Sequence, residues 1–130
     1  MRMVMLGLTL SAAVLNLTAT TSAADRTWIM SGTELMDALK GDGAPEVSDE
    51  ELKRMVSVSR GNAYVAGVAD ALQNRAWCGA GAILPHELTD RIFTYLKVLP
   101  PERLTENAAI LVVQALSKEF PCRDGENQTD

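Results

Sequence analysis

The sequence contains one histidine, His86, and two cysteines, Cys78 and Cys122. That inventory rules out zinc sites built from Cys and His alone, except a three-ligand version that uses all of them. A surplus of basic residues is also missing: 12 Lys and Arg stand against 17 Asp and Glu, for a net charge of -5. Binding to a phosphate backbone draws on Lys and Arg, so this balance argues against nucleic acid as a partner. There is no C-x-x-C pair for redox work, and no glycine loop leading into the lysine of a phosphate cradle. Strand-and-turn patterns and internal repeats are absent as well. At 130 residues the chain has room for one domain and none for a separate regulatory module. Nothing calls for a cofactor or a metal, and no reaction is written in these residues.

What is present begins with an address. Arg2 supplies a short positive start, and Met3 to Leu17 is uncharged and broken only by Thr9, Ser11 and Asn16. Small residues follow from Thr18 to Ala24. This is the three-part layout of a secretory signal peptide. The apolar run is shorter than the about 20 residues that a membrane span requires. The expectation is a signal peptide over 1–23 and a single mature domain over 24–130, with a polar tail at 123–130. That domain would be exported without membrane insertion, one charge more acidic once Arg2 is removed. In an oxidising compartment Cys78 and Cys122 read most simply as one disulfide. Closing a loop of about 45 residues is worth about 4 kcal/mol in the chain-entropy account. Two buried free thiols or a redox pair are the alternatives.

The mature chain reads as all-α, a small bundle of about four helices. Ser31 with Glu34 forms a capping box, flanked by Met30 and Leu35 as a hydrophobic staple, and Gly41 ends that helix. Ser48 with Glu51 repeats the device, with Val47 and Leu52 as the staple. The second helix runs from about Asp49 towards Ala76. Its apolar stripe is Leu52, Met55, Val56, Ala63, Ala66 and Gly67, which predicts a buried central helix with small residues for close packing. Pro85 starts a third helix with Leu88, Ile92, Tyr95, Leu96 and Leu99 inward, and Pro100-Pro101 stops it. The fourth runs from Pro101 to Phe120 on Leu104, Ala108, Leu111, Val112 and Ala115. From Ala108 to Val113 it is apolar around most of its girth, which raises a two-fold homodimer beside a monomer.

Candidate chemical residues resolve into structural ones. His86, beside Pro85 at a helix start, reads as a surface histidine, since no local motif marks a nucleophile for it to serve. Asp49, Glu50 and Glu51 suit the positive end of a helix. Asp70 stands out because it lies about five helical turns beyond Leu52 and so projects onto the apolar stripe. A half-buried carboxylate there needs donors, from Tyr64, Asn74, Arg75 or another helix, or else meets a partner protein.

Tyr64-x-x-Gly67-x-x-Asp70-Ala71, then Cys78, a proline-started helix, Pro100, a hydrophobic last helix and Phe120-Pro121-Cys122 together carry a resemblance. In order and spacing they resemble the Rap/Tai-type immunity domain, over Tyr64 to Cys122. That family consists of small exported helical proteins of Gram-negative bacteria that neutralise type VI secretion amidase toxins in the periplasm. One departure is Arg60-Gly61-Asn62, where many members carry a cysteine before the tyrosine, so a second bridge is missing. The resemblance implies a binding protein without catalysis, blocking a secreted peptidoglycan amidase, with Tyr64, Gly67 and Asp70 as structural polar positions. A periplasmic acid-stress chaperone of the HdeA type, or a helical binding subunit of an envelope assembly, are readings from other classes. For partner contact the segment Trp77 to His86 is the candidate, through Trp77, Gly79, Ala80, Gly81, Ala82 and His86. Cys78 ties its start and Pro85 stiffens its exit, and a rigid protrusion loses less entropy on binding. The structural alternative is that Trp77, Ile83 and Leu84 cap the core.

Overall fold

The computed structural model describes residues 26–123. The expectations for 1–23 and for the tail beyond Arg123 lie outside the described residues. Among the described residues there are five α-helices and no strand: α1 (Gly32–Lys40), α2 (Glu50–Leu72), α3 (Pro85–Lys97), α4 (Pro101–Leu104) and α5 (Ala108–Glu119). The all-α bundle is as expected. The fifth helix arises because the predicted fourth is split at Thr105 to Asn107, where the Asn107 side chain accepts the Ala109 N–H at 2.9 Å and starts α5 afresh. The inward stripe keeps its phase across the break, and Leu104, Ala108, Leu111, Val112 and Ala115 are all buried.

The first capping box forms as read. Ser31 Oγ accepts the Glu34 N–H at 3.3 Å, and the Glu34 carboxylate accepts the Ser31 N–H at 2.7 Å. Arg26 then clips the incoming chain to the box, bonding both Glu34 oxygens at 2.8 and 2.9 Å and the carbonyls of Trp28 and Ile29. The Ser31 N–H, foremost, and the Arg26 guanidinium hold the Glu34 carboxyl below its ordinary pKa. At the other end, the Gly41 N–H bonds the Ala38 carbonyl and closes α1. The second box is a correction: Asp49, one residue after Ser48, is the cap and accepts the Leu52 N–H at 2.8 Å. A carboxylate is the stronger acceptor at the positive end of a helix.

The central helix is α5, which packs against α1, α2 and α3. Its start is pinned to that of α1 by two backbone bonds, Gly32 N–H to Glu106 O at 3.0 Å and Ala108 N–H to Met30 O at 2.9 Å. Gly32 permits this crossing, because a side chain there would meet Leu111 Cδ1 at 2.5 Å and the Leu104 carbonyl at 3.0 Å. The run from Ala108 to Val113 is therefore covered mainly by its own chain, with Ile110 left half exposed. That burial leaves Ile110, with the partly buried Ala109 and Val113, as the apolar surface of this helix that a second copy could still cover.

The second helix differs from its reading most. Its buried residues are Ser57, Gly61, Val65 and Ala69, and the predicted stripe faces the opposite way. Leu52 is 50% and Met55 58% exposed, Ala63, Ala66 and Gly67 are exposed, and Val56 is half-buried. The close packing expected of Ala63, Ala66 and Gly67 belongs instead to Gly61, where an added Cβ would sit 2.7 Å from Leu39 Cδ2 and 3.2 Å from the Leu39 backbone nitrogen. One turn earlier the fully buried Ser57 hydroxyl donates to the Ala38 carbonyl at 2.9 Å and accepts the Gly43 N–H at 2.6 Å. These two bonds satisfy the end of α1 and the loop behind it, so a polar residue stands where the periodicity asks for an apolar one. Val68, Leu72 and Tyr64 complete the inward face.

Candidate partner-binding surface

The connection from α2 to α3 is held at several points. The Asn74 N–H bonds the Trp77 carbonyl at 2.8 Å, turning the chain sharply after α2. Trp77 then enters the core at 1% exposure, where its indole N–H donates to the Ala69 carbonyl at 2.8 Å and its ring lies 6.2 Å from that of Phe120. Trp77 therefore presents nothing to a partner, which corrects its candidacy and bears out the capping alternative for that residue. Cys78 and Cys122 form the disulfide, the Cys78 N–H bonds the Phe120 carbonyl at 3.0 Å, and Ser117 Oγ donates to the Ala76 carbonyl at 2.7 Å. The base of the connection is thus fastened to the end of α5.

Beyond the bridge the chain turns outward. Gly79 and Gly81 have φ of 106° and 87°, a left-handed conformation that favours glycine, and the Ala82 N–H closes a turn on the Gly79 carbonyl at 3.2 Å. Gly79, Gly81, Ala82 and His86 are exposed and Ala80 is half-buried. Of the capping alternative's other two residues, Ile83 packs on the core and Leu84 is 56% exposed. The exit is stiffened as read: Pro85 occupies the first turn of α3, and the Glu87 carboxylate accepts the Leu84 N–H at 2.9 Å. The result is a short glycine-hinged tip between a covalent base and a capped helix.

A groove runs beside this tip between α2 and α3. Asn62, Ala66 and Asp70 line one side and His86 and Thr89 the other, over Val65, Ala69 and Leu88. The sequence brings Asp70 and His86 to one place, though not in the way expected. Asp70 is exposed and meets none of the donors considered for it, which corrects its reading as a satisfied, half-buried carboxylate. Gly67, the second of the structural polar positions, has nothing within 4 Å of where a Cβ would stand. Tyr64, the first of them, packs on the core, and burial pushes its pKa up while the Ala109 backbone opposes the shift.

Two features were not legible in the sequence, the direction in which the α2 stripe faces and the clip made by Arg26. Counting heptad-like spacing finds the stripe but gives no sign of which way it faces. Among the described residues no group of three or more His, Cys, Asp or Glu is placed to hold a metal, and no helix is long and apolar enough to cross a membrane. A family model described as Rap1a immunity proteins matches residues 31–122. The match begins at the Ser31 cap and ends at Cys122, so it takes in α1 as well as the span from Tyr64 onward. No curated protein matches the chain.

Proposed function

The chain belongs to the Rap1a immunity protein family, and from that premise we propose that it is a periplasmic, non-catalytic inhibitor of a secreted peptidoglycan amidase delivered by type VI secretion. The signal-peptide pattern over 1–23 supports export, and the two cysteines suit an oxidising compartment. The proposed mode of action is steric: the tip formed by Gly79, Ala80, Gly81 and Ala82, with His86 beside it, enters or covers the active-site cleft of the toxin.

The observation that carries this reading is the anchoring of the tip. An inhibitor that must fill a cleft loses affinity to whatever loop entropy it has still to give up. Here the Cys78–Cys122 bond, the buried Trp77 and the Glu87–Leu84 cap fix both ends before any partner arrives. Two glycines leave the tip slender enough for close backbone approach.

The test begins with the genes that flank this one: any secreted peptidoglycan hydrolase they encode is produced together with this chain and directed to the periplasm. Cells with the wild-type chain should grow, and cells with a variant lacking residues 1–23 should lyse. Replacing Ala80 and Ala82 by glutamine, and separately His86 by glutamate, should remove protection at unchanged melting temperature. Full protection by all of these variants would overturn the tip as the inhibitory element.

A further inference from the structure

The solvent face of α2 is a second surface that the other described residues leave uncovered. Leu52, Met55, Val56, Ala63 and Ala66, interrupted by Ser59 and edged by Arg60, form a mainly apolar stripe that reaches over about 22 Å to Gly67, at 1.5 Å per residue. The core does not need this face, because Ser57, Gly61, Val65 and Ala69 make the inward contacts. Nor does helix stability need its small residues. Glycine in a helix interior costs about 1 kcal/mol against alanine, and at Gly67 there is open space that a methyl group could occupy freely.

Charge decides what covers the stripe. The cations beside it are already neutralised, since Lys53 pairs with Glu50 and Arg60 with Glu46. Arg54 lies over Gly41, on the α1 side. The acids at the two ends are not neutralised: Glu51 and Asp70 are exposed and make no hydrogen bond or ion pair among the described residues. A second copy fits this pattern badly. A two-fold with antiparallel α2 helices would set Asp70 against Asp49 of the other copy, and a parallel one would set each acid against itself. Like charges placed together across an interface oppose association. A heterologous partner with an apolar ridge flanked by Lys or Arg satisfies both the stripe and its ends, and the net charge of -5 would steer a cationic surface towards this chain.

We infer that the α2 face from Leu52 to Asp70 is a second docking surface for the toxin, taking an apolar ridge of the toxin bordered by basic side chains. The inference rests on the immunity reading. It adds to the tip a broad surface that supplies affinity, with Asp70 in the adjoining groove joining the two.

The experiment measures binding of the disulfide-bonded mature chain to a purified, catalytically inactivated peptidoglycan hydrolase found among the products of the genes that flank its own. Ala63→Arg places a bulky cation in the middle of the stripe and should weaken binding by about 100-fold or more. Asp70→Lys should weaken it by about tenfold and flatten its dependence on salt. Gly67→Ala should raise the melting temperature yet weaken binding several-fold, a pairing that a purely structural glycine would not give. If the wild type binds and all three variants bind equally well, the α2 face is not used, while the immunity reading stands. If the wild type itself does not bind, the immunity reading falls and this inference with it. If the wild type is a dimer that Ala63→Arg splits without loss of toxin binding, a second copy is the occupant and the inference is overturned.

Discussion

Two glycines six residues apart on α2 stand in opposite surroundings. Gly61 lies so close to α1 that any side chain would strike Leu39, whereas Gly67 looks into open space. The same contrast holds for the two faces of the helix. The face toward α1 and α5 carries Ser57, Gly61, Val65 and Ala69, and the face toward solvent carries Leu52, Met55, Val56, Ala63 and Ala66. Residue polarity alone would turn the first half of this helix around. What fixes its orientation is the neighbour: α1 comes so near that only small groups fit, and its C-terminal carbonyl and the following loop N–H require a hydroxyl between them. Burial here follows separation and hydrogen-bond demand more than hydropathy.

The sharpest way to test that contrast is to remove what the inner face supports. Trp77→Ala empties the space beside Ala69 and leaves its carbonyl without the indole donor, so it should cost about 3–5 kcal/mol, measured by urea unfolding. Gly61→Val forces side-chain atoms into Leu39 and should cost about 1–3 kcal/mol. Unchanged stability in that variant would mean that α1 does not sit where the contrast requires. On the outer face the sign reverses: Gly67→Ala should add about 0.5–1 kcal/mol, read as a higher melting temperature. The smallest effect lies away from both faces, at the α1 cap. The folded-state pKa of Glu34 lies below its unfolded value. Its contribution is therefore fully present above about pH 4.3 and fades as the pH falls through the lower folded value. Because the pair is half exposed, the contribution is at most about 1 kcal/mol. Acid titrations of wild type and Glu34→Gln should converge at low pH and separate above it.

The local signals were legible because their physics is local. The Ser31–Glu34 box, the Gly41 stop, the Pro85 start and the stripes of α3 and α5 depend on groups within a turn or two of each other. The break before α5 was not legible, since Asn107 gains from capping only once Glu106 and Ala108 pair with Gly32 and Met30 from the far end of the chain. The candidate surface divides in the same way. Its glycine tip and proline exit could be read off the sequence, yet Trp77 could be placed only by the structure, because a tryptophan next to a cysteine fits a hot spot as well as a core.

The sequence by itself determined a small all-helical chain, a Cys78–Cys122 pairing and membership of an immunity family, because caps, prolines, cysteines and their spacing carry that information directly. The tertiary structure decided which side of α2 meets the core, that Asp70 is exposed, and that α5 is the centre of the bundle. Those outcomes depend on distances between helices far apart along the chain, and on which buried carbonyl or N–H group still lacks a partner when they meet.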